Sequence, residues 1–148
     1  MKGFKLSALL STVLLGGSAI FSLAYTTPAI AQSSDSTDNA FLTQLYDLLE
    51  SKDAVTHAMA TQSMSAEDSI WAAQMFCRTF ESGVSPSDAF AAYTSSAMNQ
   101  AAARGANMTE EMAFAVGLYG GAVMNVGSAH YCPQYHSQVE QAFQALQR

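Results

Sequence analysis

Apolar residues recur at intervals of three and four along most of the chain, which is the spacing of one helical face. Phe41, Leu45 and Leu48 fall in one row with Leu42 and Leu49 beside them, and Asp47 and Glu50 lie opposite. Asp38 stands where an N-cap would, so a helix is expected from there. Between residues 51 and 63, Ala54, Val55, Ala58 and Met59 either extend this helix or form a short second one. Ser65 and Asp68 have capping-box spacing and precede Ile70, Trp71, Met75, Phe76 and Phe80, with Gly83 as a C-terminal stop. Ser85-Pro86-Ser87-Asp88 restarts at once: proline suits the first helical position and Asp88 closes a second capping box. Phe90, Tyr93, Ala97 and Met98 continue that helix towards Arg104-Gly105. A last helix is expected over residues 137–146, with Val139, Phe143 and Leu146 on one face. Strand-like alternation is absent, which predicts an all-α fold: a small orthogonal bundle of four or five helices.

Residues 112–132 carry no Asp, Glu, Lys or Arg and form the expected centre. Thr109, Glu110 and Glu111 open this helix, a hydroxyl cap and two carboxylates at the positive end of the dipole. Met112, Val116, Tyr119, Val123 and Val126 make one apolar row, and Ala113, Gly117, Gly120, Gly121 and Gly127 lie on the other side. A glycine inside a helix costs ~1 kcal/mol relative to alanine. Either close packing offsets this, or the helix breaks at Gly120-Gly121. Pro133 marks its end. The uncharged run with Gly117-x-x-x-Gly121 also has the pattern of a membrane helix contact. Residues 112–129 are only just long enough to span, and Asn125 with four glycines favours a helix buried inside a protein.

The N-terminus changes the compartment. Lys2 and Lys5, an apolar run over residues 6–25, and Ala29-Ile30-Ala31 before Gln32 read as a signal peptide over residues 1–31. The run is long enough to serve alternatively as an uncleaved anchor, and no cysteine follows it for lipid attachment. Residues 32–37 are polar and expected as a flexible mature N-terminus, and residues 38–148 as a single helical domain. The expected location is extracytoplasmic, periplasmic or secreted. The formal charge is −6. With Lys2 and Lys5 in the leader, Lys52, Arg78, Arg104 and Arg148 face twelve acidic residues. Nucleic-acid binding needs basic side chains that displace counterions, so it is excluded, and an anionic membrane surface is disfavoured. Cys77 and Cys132 are the only cysteines, and an even count in an exported chain favours a disulfide.

Three patterns occur in order: Asp38-x-x-Phe41-Leu42-x-x-Leu45, then Cys77-x-x-Phe80-x-x-Gly83, then Tyr131-Cys132-Pro133. They resemble a family of small exported helical proteins, best known from mycobacteria and called a domain of unknown function (the one numbered seven-three-two). That family shows Asp-x-x-Phe-Leu-x-x-Leu, Cys-x-x-Leu-x-x-Gly and Tyr-Cys-Pro. Phe80 stands here for the usual leucine, the spans before Cys77 and Cys132 are longer, and a tail follows Pro133. The resemblance covers roughly residues 38–133. It implies an all-helical fold and a Cys77–Cys132 bridge, and brings no activity, ligand or catalytic residue.

Several residues carry chemistry that competes with plainer roles. The cysteines could instead be a redox pair or metal thiolates, but redox pairs usually sit as Cys-x-x-Cys at a helix start. His130, Cys132 and His136 could join in binding zinc or copper, leaving two histidines if Cys132 is bridged. His57, Met59 and Met64 could hold copper, because thioethers are soft ligands. Methionine is more often a flexible core filler, and Met75, Met98 and Met112, at helical positions, read as core; Met108 and Met124 complete the set. Glu67/Asp68 and Glu110/Glu111 are paired carboxylates explained by capping. No Gly-x-Ser-x-Gly elbow is present, and no base is placed beside a nucleophile. No catalytic residue, cofactor or resident metal is therefore assigned. The expected function is non-enzymatic binding of a protein partner or of a small apolar ligand held between helices, with methionines and aromatics lining the site. The alternatives are copper or zinc handling and a small enzyme without a recognisable signature.

Overall fold

The computed structural model describes residues 30–146 and contains, among them, six α-helices and no strand. They are α1 (Ile30–Lys52), α2 (Ala54–Gln62), α3 (Ala66–Glu81), α4 (Pro86–Ala103), α5 (Glu110–Tyr131) and α6 (Pro133–Leu146). Residues 1–29, which hold most of the expected signal peptide, lie outside this range.

Local chemistry explains most of the boundaries. Asp53 ends the continuity between α1 and α2: its carboxylate accepts from the Thr56 N–H at 2.7 Å and from the Thr56 hydroxyl at 2.6 Å. The segment that could have extended the first helix is therefore a separate one, which raises the count above the four or five expected. Ser65 and Asp68 form a complete capping box at α3. Gly83 takes φ +85° just past the end of α3, a conformation glycine adopts without a Cβ clash. At α4 the Asp88 N–H donates to Ser85 Oγ, and the Ser85 hydroxyl donates to the Asp88 carboxylate. Thr109 caps α5 by accepting from the Met112 N–H at 3.2 Å.

Two boundaries differ from expectation. α1 begins at Ile30, so residues 32–37 carry helical backbone and Asp38 lies inside the helix. Asp38 is not a cap there. Its carboxylate accepts a 2.6 Å hydrogen bond from the Tyr131 hydroxyl on α5. α6 begins at Pro133 rather than near Ser137, because the proline that stops α5 is also preset for a first helical position.

α5 runs unbroken through Gly120-Gly121, and the other five helices pack around it. Phe41, Leu45 and Leu49 of α1, Phe76 and Phe80 of α3, and Val139 of α6 close on Tyr119, Val123, Met124 and Val126. Burying each such large side chain contributes about 1.5–3 kcal/mol. The glycines play unequal parts. A Cβ on Gly127 would stand 2.7 Å from the Ala73 Cβ and 3.2 Å from its Cα, so α3 and α5 approach almost backbone to backbone. A Cβ on Gly120 would collide with the Tyr93 ring, and one on Gly121 would press on Phe143, whereas Gly117 faces open space. The expected apolar row also frays at its start: Met112 is exposed, as is Phe114 outside the row, and α5 is buried all round only from about Tyr119 to Ser128.

The Cys77–Cys132 disulfide joins the C-terminal ends of α3 and α5, with the two Cα atoms 5.7 Å apart and a sequence separation of 55. In the chain-entropy account, closing such a loop stabilises the fold by about 4 kcal/mol.

Candidate functional site: the groove between α3 and α4

α3 and α4 form a hairpin closed by the Gly83 turn, but they part as they leave it. Between them runs a groove of about 920 Å³. At the turn end it is lined by Thr79, Val84 and Ala89. Its middle has Trp71, Met75 and Phe76 on the α3 side and Ala92, Tyr93, Ser96 and Ala97 on the α4 side. The far end is flanked by Met59 and Met64, with Asp68, Gln100 and Arg104 as the polar groups.

The sequence makes the groove by unequal side chains. α3 turns Phe76 and Phe80 inwards, whereas the facing side of α4 is mostly alanine and serine and cannot fill the gap. Of the 18 residues of α4, only Pro86 and Ala89 are buried. Tyr93 shapes the floor. It packs against Phe76 with ring centroids 5.3 Å apart and crosses α5 over Gly120. Burial pushes the Tyr93 phenol well above its usual ionisation range, with a smaller contribution from Tyr119, so it stays neutral. Trp71, alongside the apolar residues of α3, is 62% exposed on the rim. The arrangement supplies apolar contact, soft thioethers and one cation, Arg104.

The other candidates separate. Cys77 and Cys132 are bonded to each other, so neither serves as a thiolate. His130 Nε2 pairs with Gln44 Oε1 at 2.7 Å. His136 Nδ1 pairs with Ser128 Oγ at 2.9 Å, and its Nε2 lies 3.6 Å from Glu140. The two imidazoles are thus held by different partners. His57 packs edge-on against Tyr46 of α1, while Met59 and Met64 line the groove, so that trio is also divided. Met75 lines the groove, Met124 is buried in the core, and Met98 and Met112 are exposed. Among the described residues no group of three or more His, Cys, Asp or Glu is placed to hold a metal. Asp68 serves the α3 capping box and also lies at the groove's end. Glu110 and Glu111 sit exposed in the first turn of α5. Lining by methionines and aromatics is the expectation from sequence, but which aromatics take part, and the place of Arg104, are not legible there. The available signal was the alanine-rich face of α4, too small to pack a helix of that length.

Among the described residues α5 is the one helix long and apolar enough to cross a membrane, and half of its most apolar window is buried by the surrounding helices. Compared with family models, with curated proteins and with solved structures, the chain matches none.

Proposed function

We propose that this chain is an exported, non-enzymatic binding protein that holds an elongated apolar or amphipathic small molecule along the groove between α3 and α4. The observation that carries this reading is the groove itself, faced by Met59, Met64, Trp71, Met75, Phe76 and Tyr93. Its volume lies within the usual range for ligand sites, and apolar walls with a few polar groups at one end are the usual composition. From Ala89 to Arg104 the α4 wall is about 22 Å long at the helical rise, which suits a long acyl chain better than a compact ring. Arg104 at the open end can pair with a carboxylate head group. Thioether side chains adapt to irregular apolar partners.

Export supports the same reading, since a leader over residues 1–31 would deliver the protein to a compartment where the Cys77–Cys132 bridge is stable. The motif resemblance to the numbered family of unknown function belongs to this proposal too, and adds a fold without an activity. α5 then serves as the core helix of a water-soluble body, in keeping with its five packed neighbours.

Trp71 is the chain's single tryptophan and stands on the rim, so its emission reports occupancy directly. Titration with a long-chain fatty acid should shift Trp71 emission to the blue, and Arg104→Ala should weaken the effect about tenfold, the loss of one charge-assisted hydrogen bond. Native mass spectrometry of protein purified from its own compartment should show an added apolar mass. Unchanged emission together with a bare mass would sink the proposal.

A further inference from the structure

We propose, resting on the groove reading above, that the guest of the α3–α4 groove is a long-chain carboxylic acid oxygenated in mid-chain, its hydroxyl or keto group paired with the Tyr93 phenol. The two walls of the groove are unlike. Trp71, Met75 and Phe76 make the α3 wall apolar, and Met59 and Met64 extend it. On α4, Tyr93, Ser96, Gln100 and Arg104 follow at intervals of three, four and four, so they stand in one polar row beside the alanines. A plain hydrocarbon chain matches the first wall and offers nothing to the second.

The members of that row are not equivalent. Gln100 Nε2 donates to Ser96 Oγ at 3.2 Å, so these two are engaged with each other. The Tyr93 hydroxyl makes no hydrogen bond among the described residues. Nor is it sealed off: among those residues the one side-chain oxygen both closed to solvent and without a partner is Asn125 Oδ1. The Tyr93 ring is seated between Phe76 and the Cβ-free surface of Gly120, which fixes where its hydroxyl stands. Burial keeps the phenol neutral, so it can both donate and accept. An all-methylene chain laid over it strips away its water and returns no bond, whereas an oxygen at that point replaces what is lost. A site with such a group discriminates against the analogue that cannot pair with it. Arg104 and Tyr93 lie about 16 Å apart along α4 at the helical rise. With the carboxylate at Arg104, the paired oxygen therefore falls in mid-chain and not beside the head group.

Octadecanoate and 12-hydroxyoctadecanoate differ by one oxygen at a comparable distance from the carboxylate, and 2-hydroxyoctadecanoate carries the same oxygen beside the head group. Dissociation constants for all three are to be read from Trp71 emission, for wild type and for Tyr93→Phe. The substitution removes a hydroxyl with no partner in the protein, so the unfolding midpoint should stay where it is. The affinity ratio of the 12-hydroxy acid to octadecanoate should fall about fivefold in Tyr93→Phe, the worth of one hydrogen bond. The ratio for the 2-hydroxy acid should not change. Comparing ratios cancels the different cost of taking each acid out of water. In wild type carrying a ¹³C label at the tyrosine Cζ, the Tyr93 signal should move further with the 12-hydroxy acid than with octadecanoate, a readout that needs no variant. Octadecanoate binding with the same 12-hydroxy ratio in both proteins would overturn this assignment and leave the groove reading standing, a water on the phenol then being the simpler account. An equal fall for the 2-hydroxy acid would overturn the mid-chain placement. Binding of none of the three acids would overturn both readings.

Discussion

Tyr131 and Asp38 show how one hydrogen bond decides a residue's meaning. Aspartate ahead of an apolar helical run is a good N-cap, and Asp38 reads as one from sequence. Its real partner is 93 positions away, a phenol whose 2.6 Å bond fastens α1 to the end of α5. No local rule can see that partner. Removing the hydroxyl with Tyr131→Phe should cost about 1.5 kcal/mol in chemical denaturation, a typical value for a bond to a charged group. Burial first, and the Asp38 carboxylate second, hold the Tyr131 phenol above its usual range. A group raised in this way stabilises the fold below its ordinary ionisation range, and the contribution fades as pH rises through the folded value. Asp53 has the opposite sign. Hydrogen bonds from the Thr56 hydroxyl and N–H hold its carboxyl below the usual 3.8. Its contribution is therefore present above that value and fades as pH falls beneath it. Melting curves between pH 6 and pH 2 should show a smaller acid loss in Asp53→Asn, which keeps the cap but does not titrate. Gly127→Ala, meeting Ala73 in both side chain and backbone, should cost roughly 1–3 kcal/mol, the usual range for overpacking.

Helix starts marked by a hydroxyl and a following carboxylate were legible, because the whole signal lies within four residues: Ser65 with Asp68, Ser85 with Asp88, Thr109 with Glu110. Starts and continuities that depend on a distant partner were not. α6 hid behind Pro133, which stops one helix and begins the next. The passage of α5 through Gly120-Gly121 was undecidable from sequence, since it rests on what lies against the glycines. Gly120 yields its space to the Tyr93 ring of α4, and that contact sets how α4 lies over α5. A double-mutant cycle measures it. Gly120→Ala alone should destabilise by about 1–3 kcal/mol through the clash. In a Tyr93→Ala background the same change should become neutral or stabilising by up to ~1 kcal/mol, the helix-propensity gain of alanine over glycine. Equal effects in the two backgrounds would mean that the ring does not govern the approach of α4.

The all-helical class and the sulfur link were readable from pattern and cysteine count, while the empty space between α3 and α4 was not. Apolar periodicity reports which face turns inwards and says nothing about whether the opposing face is large enough to meet it. Reducing the Cys77–Cys132 bond should lower global stability by about 4 kcal/mol, read as a large drop in melting temperature with added dithiothreitol. The placement of that bond has a mechanical consequence. It pins α3 to α5 at one pole of the bundle, close to the Gly83 turn. The opposite pole, where α4 ends and α5 begins, has no covalent tie and leaves Met98, Met112 and Phe114 in contact with solvent. A peg clamped at its spring opens at its tips. Backbone amides around Met98 and Met112 should trade their protons for deuterium well before those beside Cys77 and Cys132, and a guest between the jaws of the hairpin should enter and leave from that pole.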